Sequence, residues 1–186
     1  MASFWFVSAP LPGHLDWGGY LKTAQALAGA GHTVRWISGP PVARMIAAAD
    51  LAFLPVDQTG WLWPPPPAPD TVGMLPEEAM RLRYSRALDT WLTTDLIIPA
   101  VEGLLALAEA EDAPDVLVTD PFLAASAIAA EVLNVPLAVC GWPAQEAPDE
   151  AVLRPIQTTL AGEANTRIQQ MAARFGVEGV NFAGGL

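Results

Sequence analysis

Two residues carry most of the chemical promise of this chain. His14 ends the stretch Ser8-Ala9-Pro10-Leu11-Pro12-Gly13-His14, directly behind the apolar run Phe4-Trp5-Phe6-Val7 and ahead of a helical pattern. Asp120 stands in the same relation to a second apolar run, in Val116-Leu117-Val118-Thr119-Asp120-Pro121. An imidazole takes up and releases protons near neutral pH, and a neighbouring carboxylate can orient it. Ligands of open parallel sheets bind in the crevice beyond the carboxyl ends of the strands. The two positions are therefore expected to meet in one crevice.

The elements that must position them alternate along the chain. Phe4 to Ser8 reads as a first strand and Gly18 to Ala30 as a helix, with Leu21, Ala24, Leu27 and Ala28 on one face and Gly29 and Gly31 closing it. Thr33 to Ser38 reads as strand two, Pro41 to Ala49 as a short helix and Leu51 to Val56 as strand three. From Asp57 to Leu75, Trp61, Trp63, the run Pro64-Pro65-Pro66-Pro67 and Pro69 break the rhythm and predict a long loop. Helical patterning returns from Pro76 to about Ala110, with Pro99 expected to divide it into two pieces. Val116 to Thr119 gives strand four, Leu123 to Leu133 an Ala-rich helix and Pro136 to Cys140 strand five, all short apolar runs of the kind buried parallel strands require. Glu150 to Phe175 is mostly helical, with Pro155 and Gly162 as candidate interruptions. Alternating units predict an α/β fold, a Rossmann-like doubly wound parallel sheet in a single domain over residues 1–186.

Composition bounds the function classes. The chain has 186 residues, is 52% hydrophobic and carries a formal net charge of −11, which opposes disorder and the cationic footprint of a nucleic-acid binder. Cys140 is the single cysteine, so no intrachain disulfide forms and a cytoplasmic location is expected. The apolar stretch Ala2 to Ala9 lacks a basic leader and is too short for a span of about 20 residues, so no transmembrane segment is expected. A dinucleotide-dependent dehydrogenase would need G-x-G-x-x-G behind strand one, but Gly13 is followed by Gly18 and Gly19. A serine hydrolase elbow G-x-S-x-G is absent from the sequence. Two histidines and one cysteine far apart in the chain predict no metal.

Several of these segments, taken in order, resemble one family. Pro-x-Pro-Gly-His after strand one, the helix end Ala28-Gly29-Ala30-Gly31-His32-Thr33-Val34, and Pro114-Asp115-Val116-Leu117-Val118-Thr119-Asp120-Pro121-Phe122 are similar to the amino-terminal domain of family-one glycosyltransferases with the GT-B fold. Asn165 to Ile168 and Arg174 to Val177 resemble the helix and turn that end this domain, so the resemblance spans nearly the whole chain. It implies the acceptor-binding half of an inverting enzyme of the natural-product/UDP-glycosyltransferase type, with His14 as general base toward an acceptor hydroxyl and Asp120 as its orienting partner. The implied donor is a nucleotide-sugar such as a UDP- or TDP-sugar. It would be held by a C-terminal donor-binding domain that has no counterpart here, so this domain binds no cofactor itself and is expected to be inactive alone.

The same resemblance implies an acceptor cleft. Pro12 and Gly13 beside His14, Trp17 and Trp142 behind strands one and five, and Trp61, Trp63, Met80 and Tyr84 in and after the long loop are the candidate acceptor-binding residues; Met74 and Trp91 complete the apolar set of that region, whose helical members have core packing as the alternative role. Aromatic walls suit small, flat, hydrophobic acceptors. Family members often carry Asn-Pro shortly after Gly-His, where this chain has Leu15-Asp16-Trp17-Gly18-Gly19, and Asp16 is a candidate helix cap. Asp120, ahead of Pro121, could likewise cap the following helix while serving His14. His32 before strand two reads as structural and Cys140 as a small core residue. A second functional class stands beside the enzyme: a non-catalytic binding or interaction module, or one subunit of a split glycosyltransferase. The expected partners are a small-molecule acceptor and a donor domain in cis or trans, with a homodimer as a further expectation. Val180 to Leu186 reads as the start of a linker, which favours an excised domain.

Overall fold

Residues 1–15, 19–140 and 150–180 are described in the structure, a computed structural model. Five strands form one sheet: β1 (Ser3–Val7), β2 (Thr33–Ser38), β3 (Ala52–Pro55), β4 (Val116–Thr119) and β5 (Leu137–Val139). All neighbours are parallel and their order is β3-β2-β1-β4-β5. The chain first winds outward from β1 to β3, then returns to the other side of β1 with β4. The reversal of strand order falls between β1 and β4, and an open α/β sheet leaves its ligand crevice at such a switch point.

Period-two alternation assigns each strand side chain to one of two cores. Trp5, Val7, Ile37 and Leu117 face one side, where α3 (Pro76–Trp91), α4 (Thr94–Glu111), α5 (Ala124–Leu133) and α6 (Glu150–Ala172) supply Leu88, Ile97, Val101, Ile128 and Ile168. Phe6, Val34, Trp36 and Val118 face the other, against Tyr20 and Ala24 of α1 (Tyr20–Gly29) and Ile46 of α2 (Ala43–Ala48). Phe6, Tyr20 and Trp36 form an aromatic cluster there, with centroids 4.9 to 5.5 Å apart.

Several boundaries depart from the sequence reading. Pro99 does not divide the helical region; the break lies at Leu92 and Thr93, and Pro99 is the sixth residue of α4. The proline ring points to solvent while Ile97, Ala100 and Val101 on either side are buried, so α4 keeps its packed face where the missing N–H is least costly. α6 likewise runs through Pro155 and Gly162 without interruption. α5 begins at Ala124, leaving Pro121 outside the helix, so Asp120 is not its cap. β5 is an edge strand among the described residues, with Ala138 and Val139 exposed rather than buried. α1 starts behind Gly19, whose φ of +75° puts the N-cap in the left-handed region that glycine tolerates; Asp16 lies outside the described residues. Among the described residues no single helix is long and apolar enough to cross a membrane.

Candidate functional site

The site grows from the ends of β1 and β4. Val7 is in register with Thr119, which brings Ser8-Ala9 and Asp120 side by side where the strands finish. A 3-10 turn, Pro12–His14, follows β1, with the His14 N–H donating to the Leu11 carbonyl at 3.0 Å. Pro12 presets this turn, while Gly13 is exposed with room for a Cβ, so no steric need for glycine exists there.

Asp120 ties the two loops together. Its Oδ2 accepts the Ala9 N–H at 3.2 Å and its Oδ1 accepts the Phe122 N–H at 2.9 Å. The second bond closes a turn two residues on, a habit of Asp side chains. Phe122 then presents its ring to the His14 imidazole, with centroids 6.3 Å apart. One residue thus touches both members of the predicted pair: its amide holds Asp120 and its ring faces His14. Burial pushes the Asp120 carboxyl from 3.8 to about 6, opposed by the backbone N–H bonds that favour the ionised form. Partial burial lowers the His14 imidazole below its usual 6.5, which favours the neutral ring at pH 7.

Beneath the strand ends, the Tyr20 phenol of α1 reaches the Val7 carbonyl at 2.8 Å and the Val118 carbonyl at 3.1 Å. Burial, then the charge of Asp120, hold this phenol well above its ordinary range, so it remains a donor. Ser38 Oγ donates to the Ser8 carbonyl at 2.8 Å, and Trp36 Nε1 donates to Ser8 Oγ at 3.0 Å. Side-chain donors therefore complete the backbone hydrogen bonding at the crevice floor, which fixes the loops above it.

The long loop supplies one wall. Gln58 Oε1 accepts the N–H groups of Thr59 and Gly60, both at 2.9 Å, and curls the chain. Gly60, at φ +86°, presses against Ile97, Ala100 and Ala125, where an added Cβ would meet Ile97 and Ala125 at 3.2 Å. Trp61 follows and lies at 6.5 Å from His14, 5.6 Å from Phe122 and 4.7 Å from Trp91, stacked on the last ring at 20°. The arrangement offers a proton acceptor beside an aromatic surface.

Of the sequence-derived candidates, the structure brings Pro12, Gly13, His14, Asp120 and Trp61 to one end of the sheet. Trp63 is exposed. Met80 and Tyr84 are half-buried on α3, about 16 and 10 Å along its axis from Trp91. Trp17 and Trp142 lie outside the described residues. Trp91, a member of the apolar set expected in and after the long loop, stacks on Trp61. Phe122 and Gly60 lie at the site without having been among the candidates; the spacing of Phe122 two behind Asp120 is the signal that could have marked it. His32 accepts the Ala2 N–H at 3.2 Å and meets Phe4 edge-on, at the opposite end of the strands. Cys140 is half-buried against the smaller core. Among the described residues no group of His, Cys, Asp or Glu is arranged to hold a metal ion.

No family model matches the chain, and no curated protein matches it by sequence. Solved structures do. The glycotransferase of kitacinnamycin superposes with a TM-score of 0.66 at 19% identity, over 98% of this chain and 43% of that one. The spinosyn rhamnosyltransferase SpnG gives 0.64 at 19% identity over 97% and 42%, and the glycosyltransferase SnogD from Streptomyces nogalater gives 0.60 at 23% over 97% and 43%. The chain therefore spans less than half the length of these structures. Its five-stranded parallel sheet and flanking helices are the Rossmann-like α/β fold of the amino-terminal half of GT-B glycosyltransferases.

Proposed function

We propose that this chain is the acceptor-binding half of an inverting glycosyltransferase, which moves a sugar from a nucleotide-sugar to a hydroxyl of a small, flat, hydrophobic acceptor. The observation that carries this reading is the convergence of the His14 loop and Asp120 at the switch point, joined through Ala9 and Phe122 and bordered by Trp61. The lowered imidazole is neutral at pH 7 and suited to take the hydroxyl proton as the acceptor oxygen attacks the anomeric carbon and the nucleotide diphosphate leaves. Asp120 orients the ring and stabilises the imidazolium that results, without itself taking the proton. Direct attack inverts the anomeric centre with no covalent enzyme intermediate.

The donor would be a UDP- or TDP-sugar, held by a C-terminal domain joined in cis or supplied in trans. Two neighbours support a nucleotide diphosphate of this kind: VinC is in complex with dTDP and SpnG was solved with thymidine diphosphate and with spinosyn aglycone. No metal is needed in this half, because the imidazole performs the proton transfer.

The test is transfer by the enzyme completed with a donor-binding half. His14→Ala should lower the rate by about 100-fold or more, the scale of a lost general base. A rate near that of the unsubstituted enzyme would remove His14 from the mechanism. Acceptor binding with no transfer in the completed enzyme would identify a non-catalytic binding module instead.

A further inference from the structure

Polar atoms buried without a partner gather on one side of the site. Among the described residues, five buried side-chain polar atoms meet no hydrogen-bonding partner, and four belong to Thr59, Trp61, Trp91 and Ser126; the fifth, on Trp5, lies within the sheet core. Thr59 and Trp61 flank Gly60, which packs on Ala125, the residue before Ser126. Trp61 and Trp91 are stacked on each other, so their two unmet indole N–H groups belong to one wall, the wall that borders His14. Folded proteins seldom leave such groups unmet, and those that persist call for an explanation specific to the site.

The chemistry of the groups says what would meet them. An indole N–H only donates, so its partner must be an acceptor oxygen or nitrogen. Both rings keep part of their surface accessible, while the N–H atoms themselves are covered. A flat molecule that stacks on this wall and turns a ring to bring an N–H to its edge would replace an unmet donor with a hydrogen bond. A hydrocarbon of the same outline would gain only the stacking.

The geometry points to Trp61 and Trp91 as specificity-determining residues, whose indole N–H groups select planar acceptors bearing ring carbonyl oxygens. This deepens the proposed acceptor site and rests on it. Preference arises because an acceptor without the oxygen leaves the donors as costly as before, whereas one that carries it removes the penalty.

Two probes separate stacking from hydrogen bonding: a monohydroxy-anthraquinone and the monohydroxy-anthracene with its hydroxyl on the same carbon. Dissociation constants are measured by calorimetry on the full chain, for the unsubstituted protein, Trp61→Phe and Trp91→Phe. The unsubstituted chain should bind the quinone about tenfold more tightly, the worth of a hydrogen bond made to an otherwise unmet donor. Either substitution should reduce that ratio while leaving an aromatic ring to stack on. A second form of the protein, with benzothienylalanine at position 61, keeps the bicyclic shape and lacks the N–H; it should show the same loss if a phenylalanine variant fails to fold. Equal binding of both probes by the unsubstituted chain, or a preference that survives these replacements, would overturn the inference while leaving the acceptor site standing. Binding of neither probe would overturn both.

Discussion

Asp120 holds two jobs whose electrostatic demands conflict. It accepts two backbone N–H groups, which favours the carboxylate, yet burial raises its carboxyl from 3.8 to about 6. The folded protein therefore holds this proton more tightly than the unfolded chain. The contribution is stabilising below about pH 4 and is lost as the pH rises through 6, about 3 kcal/mol in all. Asp120→Asn removes the titration, so urea unfolding at pH 4 and pH 7 should show the unsubstituted protein losing stability relative to the variant by about that amount. A difference that does not change with pH would mean that the carboxyl is not desolvated. His14 has the opposite sign: its lowered pKa gives stability that is present above 6.5 and falls away in acid. Sequence reasoning found both residues because each follows an apolar run at a strand end. It did not find Phe122 as the link between them: the two-residue step from Asp120 is a local turn signal, but the ring contact with His14 across 108 residues leaves no pattern along the chain.

The elements differ in how openly the sequence announces them. β1 and β4 are short, mostly apolar runs and β2 carries Val34, Trp36 and Ile37 around Arg35; the alternation of all three serves two cores, and they lie within a residue of their expected bounds. Pro99 misled because a proline rule read along the chain ignores which face of the helix is buried; tertiary packing on Ile97, Ala100 and Val101 carries α4 through it. α3 starts where local rules put it, with Pro76 at its first position and Glu78 accepting the Leu75 N–H at 3.3 Å. The segment Gln58 to Trp61 was hidden inside an apparent loop, since its order comes from contacts with α4 and α5 rather than from any repeat. Gly60 is its weak point. Gly60→Ala adds a Cβ at a φ of +86° and forces it within 3.2 Å of Ile97 and Ala125. Stability should fall by about 1 to 3 kcal/mol in chemical unfolding. An unchanged midpoint would show that this segment is not seated on the helices.

At the scale of the molecule, the strand order explains why the site lies where it does. Residues 3–55 build one wing of the sheet and residues 116–139 the other, and β1 is shared by both. The alternation of helical and strand patterns made the α/β class readable, but the order of strands in the sheet needed the structure. The proposed division of labour gives a direct expectation: titrated with thymidine diphosphate or uridine diphosphate, the chain alone should give no binding heat, while the completed enzyme should bind one of them. Tight nucleotide binding by the chain alone would move the donor site into this half and overturn the division.

The pairing of Ala9 with Asp120 also spans 111 residues, and that distance fixes an order in time. As the chain is synthesised, β1, β2 and β3 can assemble early, with only short connections to close. The β4 side of β1 must then wait, its backbone donors and acceptors unpaired and Trp5 and Val7 uncovered, until the segment from Ser8 to Asp115 has followed. An open strand edge of this kind is a template for wrong partners. The crevice that holds His14 and Asp120 is thus the part of the molecule completed late, and the newborn chain is most exposed to aggregation just before its site exists.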